Sequence, residues 1–139
     1  MTMILAHDKN FGIGKNGRLA WKNSQDLQHF KRITMNQTCL VGRKTFETLP
    51  KLPNRTLVVA TNNNISNVFK PDMIIIGGKQ VYEYCLKNDL VHTAIVTEID
   101  GEYDCDVFMD KGFLDGFTLD KQEQLSTCKI SWYKKKDSY

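Results

Sequence analysis

The sequence predicts an α/β protein: a mixed, mostly parallel sheet with helices on both faces and an antiparallel edge at its C-terminal end. Short apolar, β-branched runs alternate with stretches of helical spacing, the pattern of parallel strands joined by crossover helices. The last third then changes to two strand-like stretches around a short polar turn, which reads as a hairpin added to the sheet edge. With 139 residues, 41% hydrophobic and 25% charged, the chain suffices for one packed core and leaves little room for another. A single domain over 1–139 is therefore expected.

Residues 4–6 are the first expected strand, Ile4-Leu5-Ala6. The first helix spans 24–33, where Leu27, Phe30 and Ile33 recur at helical spacing behind Asn23 or Ser24 as N-cap. Strands are expected at 38–41, 56–60, 73–76 and 92–97, each too short for a helix and rich in β-branched residues. Helices at 43–49 and 79–86 join them. The polar stretch 62–72 is a connector with at most a short edge strand. The hairpin pairs 117–124 with 128–135 across Leu125-Ser126-Thr127, and Lys134-Lys135-Lys136 is its solvated end.

Composition excludes several classes of function. The four cysteines are dispersed with no C-x-x-C pair, which gives neither a zinc site nor a disulfide framework and suits free thiols in a reducing compartment. His7, His29 and His92 are as scattered and suggest no metal. A net charge of +3 suits polyanionic small molecules and is too weak for nucleic acid. No apolar run approaches the roughly 20 residues of a membrane span, and without a basic stretch followed by a long apolar one near Met1 a secretory signal is not expected. Cytoplasm and no membrane partner are expected.

Three segments exceed what a plain sheet needs. Loop 12–21 carries Gly12, Gly14 and Gly17 and ends in Trp21; its glycines permit a mobile flap, and composition alone equally fits a surface loop. The first helix sets Asp26, Leu27, Phe30 and Lys31 on one side. An Asp in a first helical turn ordinarily serves as a cap or dipole partner. If that face lines a cavity, burial raises its pKa, the helix N-terminus lowers it, and the carboxyl becomes a proton donor or recognition group. His29 points elsewhere, to the surface. The third feature is a pair of strand-to-helix turns, Val41-Gly42-Arg43-Lys44-Thr45 and Ile76-Gly77-Gly78-Lys79-Gln80. Each is weak as a motif, but two in one small chain suggest a nucleotide with several phosphates.

In order along the chain stand Gly12-Ile13-Gly14, Leu19-Ala20-Trp21, Asp26-Leu27-x-x-Phe30-Lys31, Gly42-Arg43-x-Thr45-Phe46-Glu47, Leu52-Pro53-x-Arg55, Ile76-Gly77-Gly78 and Val81-Tyr82. Thr97-Glu98-Ile99-Asp100 and Asp106-Val107-Phe108 continue the pattern. The chain resembles the dihydrofolate reductase family over nearly its whole length. The resemblance implies transfer of a hydride from NADPH to C6 of the pterin of dihydrofolate, with N5 protonated, and a place in tetrahydrofolate synthesis as an antifolate target. A monomer is expected.

Roles follow from the resemblance position by position. Asp26 should bind the pterin and support protonation of N5, with Thr97 hydrogen-bonded to its carboxylate. Leu5, Leu27, Phe30, Lys31, Leu49, Leu52 and Ile76 should border the pterin and p-aminobenzoyl pocket. Arg55 should pair with the α-carboxylate of the glutamyl tail. Carbonyls of Ala6 and Ile13 should orient the nicotinamide, beside Gly14. Arg43 and Lys44, after Gly42, should meet the 2′-phosphate and pyrophosphate, helped by Thr61 or Asn62. Thr45, Ile76 and the Gly77-Gly78 turn, cis in the family, should cradle the pyrophosphate with Lys79, Gln80 and Val81. Trp21 and Tyr82 should sit near the reacting rings.

The chain departs from the family in three places: Ala20 for the usual proline before the tryptophan, Lys79 after the glycine pair, and a connector after Thr61 shorter by roughly a dozen residues, a change loops tolerate. Two rival readings are a pyrimidine reductase of riboflavin synthesis and a non-catalytic, reductase-like binding or structural subunit. Asp26 with Phe30, and Arg55 behind Leu52-Pro53, favour the pterin.

Overall fold

The computed structural model describes residues 1–136; residues 137–139, the end of the expected domain, lie outside the described residues. In chain order the elements are β1 (Thr2–His7), β2 (Gly12–Gly14), α1 (Ser24–Thr34), β3 (Thr38–Gly42), α2 (Arg43–Thr48) and β4 (Thr56–Ala60). There follow β5 (Ile74–Gly77), α3 (Lys79–Lys87), β6 (Thr93–Ile99), β7 (Val107–Phe108), β8 (Phe117–Gln124) and β9 (Cys128–Lys135). Seven strands form one sheet in the order β4-β3-β5-β1-β6-β9-β8. The pairs from β4 to β6 are parallel and the two that bring in β9 and β8 are antiparallel. This is the expected fold class, and each expected strand and helix is found with its ends within two residues. The connector after β4 holds turns and no strand.

Two elements were not foreseen. β2 and β7 pair as a separate small antiparallel sheet. At three and two residues, one carrying two glycines, they show no hydrophobic alternation to read.

Strand alternation divides the core between the two faces of the sheet. Met3, Leu5, Leu40, Ile75, Ala94 and Val96 pack on one side with Val81, Tyr82 and Cys85 of α3. Ile4, Cys39, Ile74, Ile95 and Ile130 pack on the other with Phe30 and Ile33 of α1. The hairpin also fixes the start of α1: Gln25 donates to Ser126 Oγ at 2.8 Å and accepts the Thr127 N–H at 3.0 Å. That docking corrects the expectation for His29. It is buried, edge-on to Trp132 with ring centroids 5.9 Å apart, because β9 covers a flank of α1 that helix periodicity alone marks as polar. Burial, and next the charge of Arg32, lower its pKa.

All four cysteines are free. Among the described residues no helix is long and apolar enough to cross a membrane, and no group of His, Cys, Asp and Glu is arranged to hold a metal ion.

Candidate active site

β1 meets β5 only at its start, pairing Thr2 with Ile74 and Met3 with Ile75, whereas its pairing with β6 runs on to His7. The sheet therefore opens between the carboxyl ends of β1 and β5, the place where α/β sheets hold ligands. At the point of parting the Ile4 carbonyl accepts a hydrogen bond from the buried Tyr82 hydroxyl at 2.7 Å. Burial and then the nearby charge of Asp26 push the Tyr82 pKa up. The Tyr82 hydroxyl proton is thus engaged by Ile4 at the edge of the opening.

Asp26 enters from α1. Asn23 caps the helix, its side chain accepting the Asp26 N–H at 3.0 Å. Burial pushes the Asp26 carboxyl up to about 6, offset in part by the Trp21 indole N–H. Desolvation is the larger of the two. Trp21 is buried, and its Nε1 faces the carboxyl without completing a hydrogen bond of normal geometry.

Apolar side chains continue from Asp26. Phe30 and Ile76 pack with Ile4, and Leu27 stays 50% exposed beside them. Leu49 and Leu52 line a cleft of about 510 Å³ with Phe46, Leu57 and the stretch from Pro50 to Pro53. Two residues beyond Pro53, Arg55 is held at every nitrogen: Nε donates to Thr34 Oγ1 at 3.1 Å, Nη1 to the Pro53 carbonyl at 2.7 Å and Nη2 to the Lys31 carbonyl at 3.0 Å. A guanidinium has five N–H groups, so one remains on each terminal nitrogen.

The two strand-to-helix turns lie side by side, because Val41 is in register with Gly77. Neither helix has a side-chain N-cap, Gly42 and Gly78 occupying those positions, so the first N–H groups of each stay free. The backbones approach closely here. A β-carbon on Gly78 would lie 2.8 Å from Thr45 Oγ1, and one on Gly42 3.1 Å from Val81 Cγ2. The Gly77–Gly78 peptide is cis. Arg43, Lys44 and Gln80 are exposed, Lys79 is half-buried, and Val81 is in the core beneath the turns. On the neighbouring rim the Thr61 N–H is taken by Asn64 Oδ1 at 2.7 Å while Asn62 is exposed.

Loop 12–21 is tied down at several points. Ile13 is the extra residue of a bulge between Gly12 and Gly14, where β2 meets β7. Asp106 accepts the Asn16 N–H at 3.0 Å, Lys15 pairs with Asp104, and Thr48 of α2 donates to the Gly17 carbonyl at 2.8 Å.

Comparison with known proteins agrees with this arrangement. The family model described as dihydrofolate reductase matches residues 1–71. Dihydrofolate reductase type 9 of Escherichia coli is 35% identical over 138 residues, covering 78% of this chain and 78% of its own length. The chain belongs to the dihydrofolate reductase family. The bifunctional dihydrofolate reductase-thymidylate synthase of Paramecium tetraurelia is 35% identical over 88% of this chain, which spans only 31% of that longer protein. Among solved structures, dihydrofolate reductase from Enterococcus faecalis, complexed with NADP(H) and RAB-propyl, has the same fold. Its TM-score is 0.78 at 21% identity, covering 98% of this chain and 96% of that one.

Set beside the roles that family resemblance implies, one contact differs. The hydrogen bond expected between Thr97 and Asp26 is not formed. Thr97, held in β6 opposite Ala6, has a buried hydroxyl with no partner. Leu5 packs on the α3 side of the sheet with Tyr82, and Ile4 packs with Phe30 and Ile76 on the other. Ile4 shares a face with Ala6 two residues on, so period-two reasoning was the signal for it. Sequence reasoning also missed Phe46 and Leu57 in the cleft, and Asn64, which shapes the Thr61 turn.

Proposed function

We propose that this chain, as a single reductase-like unit, reduces 7,8-dihydrofolate to tetrahydrofolate with NADPH. The observation that carries the reading is Asp26: one carboxyl, raised to about 6 by burial, in an opening of the sheet bordered by Phe30, Ile76 and Trp21. A group that titrates near neutrality can both hold a proton and release it at working pH.

The residues present fit the cofactor. The two glycine turns pack so closely that a β-carbon on Gly78 or Gly42 would meet Thr45 or Val81, and two helix starts without side-chain caps offer N–H groups to phosphate. Arg43 and Lys44 would meet the 2′-phosphate, Thr45 with Gly77 and Gly78 the pyrophosphate, and Ala6 and Ile13 the nicotinamide amide. NADPH supplies the hydride. The Enterococcus faecalis relative, described with NADP(H), supports the choice of cofactor.

The chain's own part is binding, orientation and one proton. Asp26 accepts the donors of the pterin ring and, through its raised pKa, helps to keep a proton available for N5. Phe30, Ile76, Leu49 and Leu52 remove apolar surface of the substrate from water, which orients the ring and keeps the reaction dry. Arg55 offers its two remaining N–H groups to the α-carboxylate of the tail. The buried Trp21 Nε1 and Thr97 hydroxyl, both without partners, supply further polar contacts beside Asp26.

The test is the absorbance of NADPH with purified protein and dihydrofolate, run against the deaminated pyrimidine substrate of riboflavin synthesis. Oxidation that depends on dihydrofolate supports the reading. Oxidation with the pyrimidine alone would assign the other reductase, and oxidation with neither would leave a binding protein.

A further inference from the structure

Directly after β1 lies a carboxylate that the proposed chemistry does not use. Asp8 is 0% exposed, and no cation pairs with it among the described residues. Its charge is met by donors from two segments far apart in sequence. Oδ1 accepts the N–H groups of Asn10 and Gly12, both at 2.9 Å. Oδ2 accepts the Tyr103 N–H at 2.9 Å and lies 3.7 Å from Cys105 Sγ. Burial works against the charge, but these N–H bonds outweigh it and hold the carboxyl below its ordinary value. The enclosure is tight: a β-carbon on Gly12 would come within 2.5 Å of Cys105 Sγ and 3.1 Å of Asp8 Oδ1.

The contacts lead onward to the candidate site. The Tyr103 backbone is pinned by Asp8, and its ring packs on Trp21 with centroids 5.6 Å apart. Trp21 in turn presents its indole N–H to Asp26. The Asn10 and Gly12 bonds fix the base of the same loop that ends in Trp21.

We propose that Asp8 is a positioning residue: by clamping the 10–12 and 103–105 segments together it sets the Tyr103 ring, and through it Trp21, against Asp26. The inference rests on reading the Asp26 opening as the reactive site, though the placement of Trp21 can be measured apart from activity. Asp8 acts through others and touches no substrate.

Two variants test it. Asp8→Asn keeps one oxygen for Asn10 and Gly12 but turns an NH₂ toward the Tyr103 N–H, so donor meets donor. Tyr103→Ala leaves the Asp8 bonds intact and removes the ring that supports Trp21; it is a partly exposed position, so the variant folds even if Asp8→Asn does not. The readouts are the NMR titration of the Asp26 carboxyl and the fluorescence of Trp21 in a Trp132→Phe background. Both variants should move the Asp26 midpoint upward, because the indole that lowers it has shifted, and should change Trp21 emission. With NADPH and dihydrofolate, kcat should fall about tenfold while KM changes little. An Asp26 midpoint and Trp21 emission unchanged in Tyr103→Ala, or in a folded Asp8→Asn, would overturn the proposal. A parent without dihydrofolate reduction would instead defeat the functional reading and leave the titration to decide the positioning role.

Discussion

The Asp26 carboxyl and the Trp21 indole oppose each other: burial raises the first to about 6, and the N–H of the second draws it back. An ordinary Asp titrates at 3.8, so the folded chain takes up a proton that the unfolded chain has already lost. Stability therefore falls as pH rises between those two values and stays low above them. Two pKa units correspond to about 3 kcal/mol; solvent at this half-buried site reduces the expected effect to about 1–2 kcal/mol. Asp26→Asn should be more stable than the parent by that amount near pH 8 and no more stable near pH 3. Urea denaturation at both pH values measures it, and equal stability near pH 8 would contradict a desolvated carboxylate.

Arg55 makes three hydrogen bonds that fix its plane and leave an N–H on each terminal nitrogen. Arg55→Leu should weaken dihydrofolate by about tenfold or more, since a hydrogen bond to a charged group is worth about 1.5–3 kcal/mol. A pteridine without the glutamyl tail should lose far less. Equal losses for both would make Arg55 only the brace between Thr34, Lys31 and Pro53.

Arg43 and Lys44 are exposed and make no ion pairs among the described residues. NADPH should bind more tightly than NADH, and Arg43→Ala should erode that preference by weakening NADPH alone. Exposed charge pairs are screened by salt, so NADPH affinity should fall steeply as ionic strength rises. Dissociation constants for both cofactors at low and high salt check this; an NADH preference in the parent, or equal weakening of the two, would misplace the 2′-phosphate.

Gly78 has no space for a side chain against Thr45. Gly78→Ala should weaken NADPH about tenfold or more with the fold intact, because a contact that close displaces the Thr45 hydroxyl from the cradle. Thr45→Ala alone should also weaken NADPH, and adding it to Gly78→Ala should cost little more, because both remove the same hydroxyl contact. Cofactor titration of the single and double variants reads this directly, and undiminished binding in Gly78→Ala would show that the two turns are not the cradle.

Much of the fold was legible because its signals are local. Runs such as Met73–Ile76 can only be buried strands, and Gly42 and Gly78 mark where strands give way to helices. What escaped depends on contacts between distant segments. His29 is buried by a hairpin that begins far along the chain. β2 exists only because Val107 and Phe108 come to meet it. Asp8 has no motif around it, and its donors at Tyr103 and Cys105 lie beyond any local pattern. At the candidate site, the resemblance pointed to Asp26, Arg55 and the glycine turns, while strand alternation was the signal for Ile4 beside Phe30 and Ile76.

The central claim is that Asp26 supports protonation of a pterin during reduction by NADPH. The most direct measurement is the rate of NADPH oxidation with dihydrofolate across pH for the parent and Asp26→Asn. The account predicts a dihydrofolate-dependent rate in the parent. In the variant it predicts a loss that is severe at neutral pH and shrinks toward acid, where the substrate arrives already protonated. A variant as active as the parent at every pH would contradict it, as would a parent that oxidises no NADPH with dihydrofolate.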